Sequence, residues 1–209
     1  MKKIAIALMC MIFATGAAMA QKQFTFGPKI GVDYTNYWGE DVEHGGQLNY
    51  QAGLFMEYRF TDKFSVAPEV VFAAQGGKYK DKVSVEGIDI IDVDITHHVN
   101  NINVPVMLKY YVSPAVSIDF GPQVGFNIYS KYTQKVKSDI VPTGMEKEKT
   151  YDNKDFTKTV DFGLGLGLTY NIAKDVFVQG RYTMGMTKVF DGNHNDKNGN
   201  AQIAIGYRF

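Results

Sequence analysis

The chain has 209 residues, with 22 lysines and arginines against 22 aspartates and glutamates, so no basic surplus points to nucleic acid. Its single cysteine, Cys10, falls in the first segment, and the rest of the chain has no disulfide framework. Twenty-one glycines, 14 phenylalanines and 13 tyrosines suit a sheet with aromatic girdles better than a helical domain, and no later run approaches the ~18 apolar residues of a membrane helix.

Lys2 and Lys3, the apolar stretch 4–13 and Ala18-Met19-Ala20 make the three parts of a secretory signal peptide, with cleavage expected after Ala20. Residues 1–20 are then the signal peptide and 21–209 the exported domain. The apolar part is short for a span, which needs roughly 20 residues. Too little apolar core precedes Cys10 for it to be a lipidation point. An exported chain without a membrane helix can still span a bilayer, but only as a closed sheet.

Period-2 alternation predicts eight strands. In the first, Phe24, Phe26, Pro28, Ile30, Val32 and Tyr34 oppose Thr25, Gly27, Lys29, Gly31 and Asp33. The second sets Leu48, Tyr50, Leu54, Met56 and Tyr58 against Asn49, Gln51, Glu57 and Arg59; the third sets Phe64, Val66, Val70 and Phe72 against Ser65, Glu69 and Gln75. The fourth has Ile102 to Tyr110 opposite Asn101, Asn103 and Lys109, and the fifth Val116 to Ile128 opposite Ser117, Asp119, Gln123 and Asn127. The sixth is the most regular, Phe162, Leu164, Leu166, Leu168 and Tyr170 against Asp161, Gly163, Gly165, Gly167 and Thr169. Val176, Val178, Tyr182 and Met184 oppose Gln179, Arg181 and Thr183 in the seventh, and residues 201–209 form a closing strand with one greasy face ending at Phe209. Phe55, Val71, Met107 and Phe177 interrupt the polar face, as local packing or a slip of register.

Tight turns join these segments at 61–63, 113–114 and 171–175, whereas 36–47, 76–98, 131–156 and 188–199 read as long polar loops. Such sorting by parity is the periplasmic and extracellular asymmetry of an outer-membrane barrel. Aromatic residues gather at both ends, Phe24, Phe60, Phe64, Tyr110, Tyr170 and Phe209 at the short turns, Tyr34, Trp38, Tyr50, Phe126 and Tyr129 near the loops. The fold class is therefore all-β, an eight-stranded antiparallel up-and-down transmembrane barrel.

Eight strands leave a lumen only wide enough for side chains to fill. The inward face carries Glu57, Glu69, Asp119 and Asp161 with Arg59, Lys109, Arg181 and Arg208, joined by Lys29 and Asp33. Balanced signs argue for a structural ion-pair network that plugs the lumen rather than for an ion pathway. The glycines at 163, 165 and 167 lie every second residue on a strand with no following helix, which suits close packing and not a nucleotide loop.

Chemistry is sparse. His97 and His98 follow Asp89, Asp92 and Asp94, a set that could ligate a divalent metal, but Ile88, Ile90, Val93 and Ile95 suit a hairpin projecting past the membrane with its acids in water. Asp191 to Asp196 begins like a calcium loop yet has Asp196 at the sixth place and Gln202 at the twelfth, where glycine and an acid are needed. No nucleophile-elbow pattern accompanies the four histidines, so no enzyme, cofactor or resident metal is expected.

Seven segments in order resemble the PorT-type outer-membrane β-barrel family, small porin-like barrels of Bacteroidetes-type bacteria. They are Gly27-Pro-Lys-Ile-Gly31, Pro68-Glu69 leading to Gln75-Gly-Gly77, Val104-Pro-Val-Met-Leu-Lys-Tyr110, Asp119-Phe-Gly-Pro122, Asp161-Phe-Gly-Leu164, Arg181-Tyr-Thr-Met-Gly185 and Gly206-Tyr-Arg-Phe209. The resemblance implies insertion into the Gram-negative outer membrane by the assembly machinery, which reads the C-terminal aromatic strand here ending in Tyr207 and Phe209. It implies ties to protein secretion for some members and carries over no catalytic residue. The expected role is structural or adaptor-like, with specificity in the loops and outer-membrane lipid and an envelope protein as partners. An accessory part of a secretion or envelope assembly, a narrow channel and a rim-located enzyme are the alternatives.

Overall fold

A computed structural model describes residues 23–38, 44–85, 88–138, 147–152, 159–188 and 197–209; the expected signal peptide, Cys10 and the calcium-like segment 191–196 lie outside them. The described residues form ten strands: β1 (Phe24–Trp38), β2 (His44–Gly45), β3 (Gln47–Arg59), β4 (Phe64–Val85), β5 (Ile88–Ser113), β6 (Val116–Ser138), β7 (Lys147–Asp152), β8 (Val160–Asn171), β9 (Val176–Lys188) and β10 (Lys197–Tyr207). Eight of them close into an antiparallel ring in the order β4-β3-β1-β10-β9-β8-β6-β5, with β5 returning to β4. First and last barrel strands meet from Lys29 opposite Gly206 to Trp38 opposite Lys197. Closure leaves no unpaired backbone edge in hydrocarbon.

The tight turns sit at one end, as their sequences require. Thr61 Oγ1 accepts the amides of Lys63 (3.3 Å) and Phe64 (3.0 Å), and Ser113 Oγ accepts that of Val116 (3.2 Å). The terminus is fastened there too, Arg208 N donating to Asp175 O (2.7 Å) and Phe209 N to Phe26 O (2.8 Å).

At the other end the structure departs from the loops read in the sequence. β4 and β5 stay paired out to Val85 opposite Ile88, so 76–98 is mostly a projecting hairpin. β6 continues beside it and β7 pairs with β6, while β2 borders β4 on the other side. The physical reason is length: β4 has 22 residues and β5 has 26, against the ~9–11 that cross a bilayer, and the excess keeps its ladder bonds in water. Gly76, with φ 154°, stands where the hairpin leaves the ring, in backbone space that side chains other than hydrogen rarely enter.

Burial is inverted relative to a soluble domain. Leu54, Leu166 and Ile203 are more than half exposed, whereas Lys29, Glu69 and Asp119 are at most 4 % exposed. An aromatic belt runs round the short-turn end, with Phe60 stacked on Phe64 (6.4 Å), Phe64 against Tyr110 (5.1 Å) and Phe26 against Phe209 (5.6 Å). Phe55, Val71, Met107 and Phe177 do not slip the register; they pack inside the lumen, Phe55 edge-on to Phe177 at 5.0 Å. Glycine lets strands approach closely around them: a Cβ on Gly121 would lie 2.0 Å from the Val106 carbonyl oxygen.

Candidate functional site: the charged lumen

The inward face of eight twisted strands gathers the charged residues into layers. The central layer is Glu69 on β4, which accepts from Lys29 Nζ on β1 (2.5 Å) and from both terminal nitrogens of Arg181 on β9 (3.1 and 2.5 Å). β9 is four strands from β4 in an eight-strand ring, so the Arg181–Glu69 pair crosses the full bore. Lys29 Nζ also donates to Gln179 Oε1 (3.1 Å). A carboxylate buried with two cations and bidentate geometry is held firmly, and removing any partner leaves an uncompensated charge.

Toward the short turns, Glu57 on β3 gathers the remaining bases. Lys109 Nζ lies at 3.4 Å, Arg208 at 3.9 Å and Arg59 at 4.0 Å. Ser65 Oγ donates to Glu57 Oε1 (2.7 Å), and the Tyr111 hydroxyl donates to the same oxygen. The Arg59 guanidinium stacks on Tyr111 (3.9 Å) and that of Arg208 on Phe177 (4.5 Å), so these cations also use ring faces. Below them opens a recess of about 680 Å³, lined among others by Glu57, Arg59, Lys174, Asp175, Arg208 and Phe209.

The charges balance in number without pairing one to one. Asp119 stands opposite Lys109 in the β5–β6 register, yet its oxygens accept from Ser117 (2.7 Å), Thr169 (2.5 Å) and Gln179 (3.0 Å), while the Lys109 amine turns to Glu57. Asp161, near the long-loop end, accepts from the Thr187 hydroxyl. Lys29, only an addition to the set by sequence, is central to it, because the stagger of β1 brings it level with Glu69.

Toward the long loops, neutral amides replace ion pairs. Gln51 donates to Gln202 (2.6 Å), Asn101 and Asn198 both donate to Gln75 Oε1 (2.8 and 2.9 Å), and Thr35 Oγ1 donates to the Gly76 carbonyl (2.6 Å). His97 and His98 lie in the projecting part of β5, opposite Gly77 and Gly76. No set of three His, Cys, Asp or Glu side chains fit for a metal occurs among the described residues.

The family described as "Outer membrane protein beta-barrel domain" matches residues 19–191. No curated protein matches the chain. Among solved structures, the attachment invasion locus protein Ail of Yersinia pestis is 16% identical, over 90% of this chain and 99% of that chain, with a TM-score of 0.47. Neisserial surface protein A is 14% identical over 88% and 97%, with a TM-score of 0.46. OprG of Pseudomonas aeruginosa is 15% identical over 90% and 95%, with a TM-score of 0.42.

Proposed function

This chain belongs to the outer membrane protein beta-barrel domain family, and from that premise we propose that it is a plugged barrel with a structural or adaptor role. The observation that carries the reading is the Lys29–Glu69–Arg181 layer, whose ion pairs cross the bore and leave one net positive charge at its centre. The protein reconstituted in planar bilayers should give no stepwise conductance. Discrete ion-carrying openings would overturn the plug and favour a channel.

The projecting sheet of β4, β5, β6 and β7 supports the adaptor half of the proposal, since its paired strands extend past the length that crosses a bilayer. An envelope protein is the partner, and the second reading is an accessory part of a secretion or envelope assembly. The seven segments resembling the PorT-type barrels favour that second reading. Co-purification from native envelopes, repeated with the hairpin tip 80–95 deleted, tests both. Loss of a partner with the tip places recognition there, and the absence of any partner from either form leaves a structural role only.

Export begins, on this reading, with removal of residues 1–20, and mass measurement of the mature protein checks the Ala20–Gln21 cleavage. Tyr207 and Phe209 serve as the closing aromatic signal for the assembly machinery; both rings are exposed to the lipid side and touch at 5.1 Å. The protein is assigned no catalytic role.

A further inference from the structure

Asp33 is fully buried on the lumen face of β1, yet neither of its carboxylate oxygens has a hydrogen-bond partner. Nor does it form an ion pair with any of the five lumen bases. Lys29 and Arg181 are engaged by Glu69, and Lys109, Arg59 and Arg208 by Glu57, all at or inward of the central layer. Arg181 stands opposite Gln202, the residue paired with Asp33, but spends both terminal nitrogens across the bore on Glu69.

The lumen positions that follow Asp33 toward the long loops carry further oxygens without partners. One step outward on β1, Thr35 pairs with Asn200, which in turn pairs with Thr183. Asn200 Oδ1 and Thr183 Oγ1 are buried without partners. Further toward the long loops, Asn198 on β10, opposite Tyr37 of β1, and Asn101 on β5 both give their amide nitrogens to Gln75 Oε1. That shared acceptor fixes which way the two amides point, and it leaves each Oδ1 unpaired.

We propose that the outer half of the lumen is a cation site, in which Asp33 supplies the charge and Asn200 and Thr183, on the next lumen level, supply neutral oxygens, with water completing the shell and the free Asn101 and Asn198 oxygens lying on its long-loop side. A carboxylate with amide and hydroxyl oxygens is the donor set of a hard cation such as calcium, which accepts six to eight oxygens in flexible geometry. One formal charge among neutral ligands places its affinity in the weak range, with dissociation constants of about 10⁻⁴–10⁻³ M. The position fits as well, since it lies on the long-loop side of Lys29 and Arg181, whose positive charges repel a cation from going further. The site is thus a terminus and not a path. It stands apart from the adaptor reading, because it depends only on the lumen geometry.

Calcium chloride titrated into the full mature barrel in detergent micelles tests the proposal by calorimetry and by thermal unfolding, with choline chloride as the ionic-strength control. Saturable one-site heat and a rise in unfolding midpoint are expected, both lost in Asp33→Asn and kept in Arg59→Ala at the opposite mouth. Asn200→Leu should weaken calcium several-fold, and it carries the test if Asp33→Asn does not fold. The proposal is overturned if the wild-type barrel gives neither signal, which would leave water alone as the occupant. It is equally overturned if the variants at Asp33 or Asn200 respond like wild type, which would place calcium on the loops.

Discussion

The inner and outer halves of the bore are built on the same alternation of residues but satisfy their polar groups in opposite ways. In the inner half and the central layer, Glu57 and Glu69 draw in five bases, and Asp119 is capped by three neutral donors. In the outer half, amides bond to amides and Asp33 bonds to nothing within the protein. The difference teaches that a lumen can be neutral in total and still polarised along its axis. Bases are concentrated where the bore is sealed, and an unpaired acid waits where it meets the long-loop mouth.

The sharpest way to break this comparison is Glu69→Gln, which strands two buried cations and should cost about 3–5 kcal/mol in urea unfolding from lipid vesicles. A loss below about 1 kcal/mol would mean that the central layer is not the seal. The facing on which both halves depend is tested by Leu166→Lys, which puts a charge on an exposed lipid-side position and should cost about 2–4 kcal/mol. Lysine at Gly165 acts differently, crowding Met107 and Arg181, whose atoms lie 3.2 and 3.5 Å from where a Cβ would stand.

Asp119→Asn should lose about 1.5–3 kcal/mol, the worth of hydrogen bonds to a charged group. Asp33→Asn, measured in chelator, should cause no loss and a gain in stability, because it removes a buried carboxylate whose desolvation no hydrogen bond or ion pair offsets. Equal losses at the two aspartates would erase the contrast between the halves.

Much of this was legible along the chain. Alternation assigned lipid and lumen faces from Phe24 to Phe209, and the turns at 61–63, 113–114 and 171–175 fell where the tight connections are. Two expectations needed changing. The polarity of 76–98 concealed a hairpin, because a strand in water on both faces keeps its ladder without keeping an apolar stripe. The apolar intrusions Phe55 and Phe177 could not be told from a slipped register until the ring closed and set one against the other.

By itself the sequence determined which residues look inward, since a strand's two faces follow from neighbours two positions apart. Only the tertiary structure decided which of them meet. Arg181 reaches Glu69 from 112 positions away and Gln51 finds Gln202 across 151, through the stagger of a closed ring that local spacing does not encode. The same stagger left both carboxylate oxygens of Asp33 without a hydrogen-bond partner.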